Sequence, residues 1–149
     1  MERIRVNIKR KEDCKDLPML QYMSEGASGA DLYAAVNEEL VLEPSDIGAV
    51  PTGTFIELPL GYEAQVRPRS GLALKHGLTI VNAPGTIDSD YRGEICVILC
   101  NMGKRPININ RGMRIAQLIV QPVVRAEFIE VTGLEATKRN DGGFGHTGV

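Results

Sequence analysis

The chain has 149 residues, a length that suits one domain burying roughly 70% of its unfolded surface. With 43% hydrophobic residues, 24% charged residues and a net charge of −2, it has no electrostatic reason to seek nucleic acid or a membrane surface. A polyanionic ligand must therefore be met by local positive groups or by a metal ion.

At the N-terminus Ile4, Val6 and Ile8 alternate with Arg5, Asn7 and Lys9, the period of a half-buried strand and not the profile of a signal peptide. No apolar run approaches the ~20 residues of a membrane span. Residues Lys11 to Ser28 read mostly as loop, and a strand is expected after Gly29, over Ala30 to Val36. Glu39 to Leu42 ends at the turn signal Pro44-Ser45-Asp46, and apolar and β-branched residues resume over Ile47 to Leu58. After Pro59 and Gly61 the alternation returns over Tyr62 to Val66. Ser70 to His76 is the one stretch with helical character, and Gly77 ends it.

Further strands are predicted over Leu78 to Val81, Ile95 to Leu99, Ile107 to Ile109, Ile115 to Val120 and Ala126 to Val131. Short strands between turn residues, with no helix long enough for a crossover, imply an antiparallel all-β sandwich or jelly roll. Residues 1–133 read as a single β domain, and 134–149, rich in glycine with one aromatic, Phe144, as a flexible C-terminal arm. Cys14, Cys96 and Cys100 read as unbridged thiols in a reducing cytoplasm, since Cys96 and Cys100 lie too far apart along one strand to pair.

Chemistry concentrates in five places. Arg67 to Ala73 sets two arginines and the Ser70 hydroxyl before the short helix, which reads equally as an anion site and as a serine N-cap with solvated arginines. Asp31 sits in a run fit for burial and needs a partner, either a nearby arginine or hydrated Mg²⁺ on a triphosphate. Gln117 stands among Ile115, Leu118 and Ile119, where an outward-facing strand residue is the simplest local reading.

Between two apolar runs, Asn82 to Glu94 is a polar excursion held by buried strands, a good place for an acid, Asp88, beside an aromatic wall, Tyr91. Asp88 and Asp90 also suit plain turns, and Arg92 and Glu94 could pair across the loop. The tail from Arg139 to Gly148 reads either as a frayed end or as a lid whose glycines approach phosphates while Phe144 stacks on a base. His76 and His146 lack partners at zinc-ligand spacing, Ser70 lacks a nucleophile-elbow setting, and no glycine pattern matches a nucleotide-binding fingerprint.

In order, Gly29-Ala30-Asp31-Leu32, Arg69-Ser70-Gly71-Leu72-Ala73, Asn82 to Glu94, Gly112-Met113-Arg114-Ile115-Ala116-Gln117 and Arg139 to Gly148 resemble the five motifs of the homotrimeric deoxyuridine triphosphatases. The resemblance covers about Ser28 to Gly148. It implies an antiparallel jelly-roll or β-clip type barrel with one short helix, assembled as a trimer with three shared active sites. It also implies Mg²⁺-dependent hydrolysis of dUTP to dUMP and pyrophosphate, which keeps uracil out of DNA and supplies dUMP for dTMP synthesis.

By the same resemblance Asp88 activates the attacking water and holds the sugar 3′-hydroxyl, and Tyr91 packs under the deoxyribose. Asn82, with the hairpin residues Gly85, Thr86 and Ile87, reads the uracil edge. Arg69, Ser70, Gly71 and Gln117 meet the phosphates, and Asp31 meets Mg²⁺ through water. In the arm, Arg139 and Thr147 reach the γ-phosphate, and Phe144, followed by Gly145, stacks on uracil. Asn140 and His146 depart from the glycine and serine common in the family. The rival readings are a dCTP deaminase, for which no extra carboxylate lies near Asn82 in the sequence, and a nucleotide-sensing trimer without chemistry.

Overall fold

The computed structural model describes residues 3–143, and its elements follow the turn signals closely. The strands are β1 Asn7–Arg10, β2 Ala30–Tyr33, β3 Leu40–Leu42, β4 Ile47–Pro51, β5 Thr54–Glu57, β6 Tyr62–Arg67, β7 Leu78–Ile80, β8 Gly85–Ile87, β9 Cys96–Asn101, β10 Ile107–Ile109 and β11 Arg114–Pro122. The helix α1 is Ser70–His76, and a single 3-10 turn covers Glu12–Cys14.

Glycine decides two of these boundaries. The apolar run Ile47 to Leu58 divides into β4 and β5 because Gly53 turns the chain at φ 65°. Helix α1 stops at Gly77, whose φ of 70° lets its amide reach the Ala73 and Leu72 carbonyls. A β-carbon at Gly77 would lie 2.6 Å from the Gly103 nitrogen, so the helix end is also fixed by a close backbone approach.

All pairings are antiparallel and join strands distant in sequence: β1 with β5, β3 with β10, β4-β9-β7, and β2-β11-β6-β8. The class is all-β with one short helix, as the sequence implies, but the sheets do not close into a barrel. Successive strands β7 and β8 lie in different sheets, so the ladder breaks at residues 81–84 instead of running round. The strand expected over Ala126 to Val131 is also absent. No strand among the described residues pairs with it, and Phe128 and Ile129 are 95% and 74% exposed; β-propensity alone cannot hold an unpaired strand in water.

The core lies between the sheets and is built from inward residues of most strands, among them Leu32, Val50, Val97, Leu99, Ile109 and Ile115, each nearly or fully buried. One polar group sits at its edge. Asn101 is fully buried and donates to the Leu42 and Arg105 carbonyls, both at 2.8 Å, while its own oxygen accepts from Gly103 N–H at 2.9 Å. Every polar atom of that amide thus replaces a bond it would have made to water, and β3 is tied to the end of β9.

Candidate active site

The four-stranded sheet β2-β11-β6-β8 carries the site, and the period of two decides which residues reach it. Asp31, Gln117 and Arg67 lie directly opposite one another across β2, β11 and β6, so their side chains stand on one face, away from the core. Arg114 joins them through a β-bulge. The register runs Ala116 to Leu32 but then Arg114 to Tyr33, which leaves Ile115 as the extra residue. An unbroken ladder would pair Arg114 with residue 34 and turn it to the core face. The bulge buries Ile115 and Ala116 together and returns Arg114 to the side of Asp31.

Asp31 is buried, and each of its oxygens takes a guanidinium: Arg69 Nε at 3.0 Å on Oδ1 and Arg114 Nη1 at 3.2 Å on Oδ2. The arginine partner considered for it is therefore present twice. Gln117 Nε2 donates to the Pro68 carbonyl at 2.9 Å, which orients the amide toward the same place. A β-carbon at Gly29 would crowd that amide, and Gly29 leaves room for it.

Helix α1 begins at Ser70 with Arg69 as its N-cap and no side-chain cap bond. The serine N-cap alternative fails, and among the described residues the Ser70 hydroxyl has no partner. Gly29, Asp31, Arg69, Ser70, Gly71, Arg114 and Gln117 thus line one open groove of about 490 Å³. Among the described residues its charged lining is mostly cationic, with Asp31 the one acid.

Met23 and Lys75, which carry no motif in the sequence, also line it, as does His76, considered there only as a zinc ligand. The signal was available for two of them: Lys75 and His76 follow Gly71 and Leu72 by four residues and share their face of the helix.

The polar excursion forms a second, separate unit. Its first part is a strand, β8, paired with β6 through Gly85 to Val66, Thr86 to Gln65 and Ile87 to Ala64. As the outer strand of its sheet, β8 leaves one edge of backbone donors and acceptors unpaired. A β-carbon at Gly85 would stand 3.2 Å from Asn82 Nδ2, so the Asn82 side chain lies close over that glycine.

Exposed Asp88 follows β8 directly, and its carbonyl accepts the Tyr91 amide at 3.1 Å. Tyr91 folds over Gly93, with its hydroxyl donating to the Glu94 carbonyl at 3.0 Å. Arg92 and Glu94 do not pair with each other. Arg92 faces Glu57 at 3.5 Å, and Glu94 takes Lys11 at 3.2 Å and the Gly53 amide at 2.8 Å, which anchors the loop to β5 and the N-terminal turn.

Neither Asp88 nor Tyr91, Asn82 or Thr86 lines the cationic groove of the same chain. Strand β6 stands between the two units.

Beyond β11 the chain from 123 to 143 carries no strand or helix. Thr137 and Asn140 exchange bonds between backbone amides and side-chain oxygens at 2.8 and 3.0 Å, and Arg139 Nε donates to the Gly142 carbonyl at 2.7 Å. Asn140 takes φ 43° there. Asparagine tolerates that region better than most residues, which accounts for its standing where glycine is common. Phe144, Gly145, His146 and Thr147 lie outside the described residues.

The residues of the groove and of the hairpin all fall inside a match to the dUTPase family model over residues 15–148. The chain is 59% identical over 144 residues to the deoxyuridine 5'-triphosphate nucleotidohydrolase of Caldanaerobacter subterraneus subsp. tengcongensis, covering 97% of each. Its fold is similar to that of the Staphylococcus bacteriophage 80alpha dUTPase with dUPNHPP, at TM-score 0.86 and 25% identity, covering 97% of this chain and 99% of that one. It is also similar to a mutant dUTPase of phage phi11 of S. aureus, described for its structural Mg(II) ion, at TM-score 0.77 and 24% identity over 89% of this chain and 100% of that one. With a family model spanning nearly the whole chain and a relative this similar across its full length, the protein belongs to the dUTPase family.

Proposed function

We propose that this protein hydrolyses dUTP to dUMP and pyrophosphate, by attack of an Asp88-activated water on the α-phosphorus, in a homotrimer whose sites combine two half-sites from different chains. The observation that carries this reading is the division of labour on one sheet. A cationic groove able to hold phosphates and a hairpin able to hold a nucleoside are both built, yet apart. Among the described residues the groove has no acid free to act as a base, since the Asp31 oxygens are taken by arginines. The hairpin has the free acid but no cluster of positive groups.

In this reading the open edge of β8 meets the uracil edge. Cytosine exchanges donor for acceptor there and would leave buried groups unpaired. Tyr91, fixed through its hydroxyl, forms the floor under the deoxyribose. Asp88 accepts a proton from water as the new P–O bond forms, and pyrophosphate leaves along the groove. Ser70, Arg69 and Gln117 there hold the phosphate oxygens and orient the α-phosphorus for in-line attack. Arg139, with Phe144, Gly145 and Thr147, closes over the nucleotide and excludes bulk water.

Among the described residues no group of three or more His, Cys, Asp or Glu side chains could hold a metal ion. The donors present suit a hydrated Mg²⁺ carried by the nucleotide. Asp31 would hold such an ion through its water, since a carboxylate paired with guanidinium groups still has acceptor capacity for a hydrogen bond from water. When bound, that ion supplies charge neutralisation along the triphosphate.

Trimer formation is supported by the segment after β11, where Val124, Phe128 and Leu134 are 95%, 95% and 91% exposed, a stretch that a neighbouring chain would cover. Three free thiols suit a reducing cytoplasm, and no helix among the described residues is long and apolar enough to cross a membrane.

The test is Asp88→Asn. Turnover should fall by about 10²–10⁴-fold, the range for loss of a positioned general base, while dUMP still binds. Turnover near that of the unmodified protein would remove Asp88 from its role.

A further inference from the structure

Asp31 lies where a charge is unwelcome. Its side chain is 10% exposed on a strand between the buried residues Ala30 and Leu32. A carboxylate so placed is stable only when paired, and the chain supplies two partners by two separate devices. The bulge at Ile115 swings Arg114 to the Asp31 face, and the turn into α1 brings Arg69 to the other oxygen. Arg69 Nη1 also donates to the Arg114 carbonyl at 3.4 Å, which closes the cluster. Both arginine side chains remain partly exposed, 28% and 45%, and open on the groove.

One acid between two bases leaves the cluster with a single positive excess, and the guanidinium edges not facing Asp31 are turned to whatever occupies the groove. Without the carboxylate the two guanidiniums would repel each other and swing into solvent, where long side chains lose their order.

We propose that Asp31 is a positioning residue whose carboxylate holds Arg69 and Arg114 in the attitude that receives the triphosphate, and that it does so with or without a metal ion. The proposal rests on the dUTP reading above for the identity of the ligand, but the arrangement of the three side chains is testable apart from it. It also makes a prediction opposite in sign to simple electrostatics. Removing a negative charge from an anion site should strengthen binding of the triphosphate if the charge acts only at a distance, whereas removing a positioning group should weaken it.

The experiment measures binding of a non-hydrolysable α,β-imido analogue of dUTP, and of dUMP, to full-length protein and to Asp31→Asn, each in EDTA and in Mg²⁺. In EDTA the variant should bind the analogue about tenfold more weakly, the scale of one charge-assisted hydrogen bond. Its dUMP affinity should change by no more than about threefold, because the tail beyond the α-phosphate is what the arginines hold.

Equal or tighter analogue binding in EDTA, with weakening seen only in Mg²⁺, would overturn the proposal and leave Asp31 a metal anchor. Equal weakening for dUMP and analogue would overturn it in favour of general disruption.

Should Asp31→Asn not fold, the unmodified protein still decides. The Arg69 Nε–H, identified as the side-chain signal that disappears in Arg69→Lys, should exchange slowly with solvent, and rapid exchange would overturn the proposal. An unmodified protein that binds neither nucleotide would remove the dUTP reading and leave the Arg69 exchange rate to judge the clamp by itself.

Discussion

Arg111 stands three residues before Arg114, yet it serves the fold and not the groove. Its guanidinium meets both oxygens of Asp16, at 3.0 and 2.8 Å, and also donates to the Asp13 and Val36 carbonyls, pinning the 3-10 turn against the start of β11. The Arg111 hydrogen bond holds the Asp16 carboxyl below its ordinary value of 3.8. Because the folded value lies below the unfolded one, the pair stabilises the fold at any pH above the ordinary aspartate range. That contribution disappears as pH falls through the folded value. Asp16→Asn should therefore melt at a lower temperature than the unmodified protein at neutral pH, with the gap closing in acid. A gap independent of pH would contradict this assignment.

Two of the residue alternatives left open by the sequence, the arginine partner for Asp31 and the serine cap at Ser70, depend on which side chains a distant strand brings near. Composition and spacing carry no such information. Asn101 gives no sign of its role in the sequence for the same reason, since its partners are carbonyls 59 and 4 residues away.

At the level of elements the sequence is most informative where the signal is local. Helix α1 runs from Ser70 to His76 as read, because its stop lies in a single glycine. Gly77→Ala should destabilise the protein by about 2 kcal/mol or more, combining the cost of a left-handed backbone with a β-carbon pressed on Gly103. Urea unfolding measures this, and an unchanged midpoint would show that the helix end tolerates a side chain.

Strand β10 is likewise placed to the residue, over Ile107 to Ile109. Strand partners are not legible. Ala126 to Val131 has the composition of a strand and no partner among the described residues, and the bulge at Ile115 leaves no mark in the alternation because both Ile115 and Ala116 are apolar. Yet that bulge decides whether Arg114 faces the core or the groove. The one-residue register shift is thus the element-scale feature on which the site most depends.

At the scale of the whole molecule, the sequence names five motifs, and among the described residues three of them, the first, second and fourth, meet at one groove. The hairpin stands beyond β6, and the hydrogen bonds of the described part of the arm, over Thr137 to Gly142, are made within the arm itself. In the trimer proposed above, a neighbouring chain supplies the half of the site that each chain lacks.

Removal of residues after Lys138 should then leave the β domain folded and associated, with Thr137 deprived of its exchange of bonds with Asn140, while turnover drops severely. Light scattering and steady-state rates measured together separate these effects. Full activity in the truncated protein would show that the arm does not act as a lid.

The most direct measurement is a substrate panel of dUTP, UTP, dTTP and dCTP with Mg²⁺, following pyrophosphate and ammonia together. The account predicts pyrophosphate from dUTP alone and no ammonia from any of the four. Pyrophosphate released equally from UTP or dTTP would contradict the reading of the hairpin, ammonia from dCTP would make the protein a deaminase on this fold, and silence with dUTP would contradict the account as a whole.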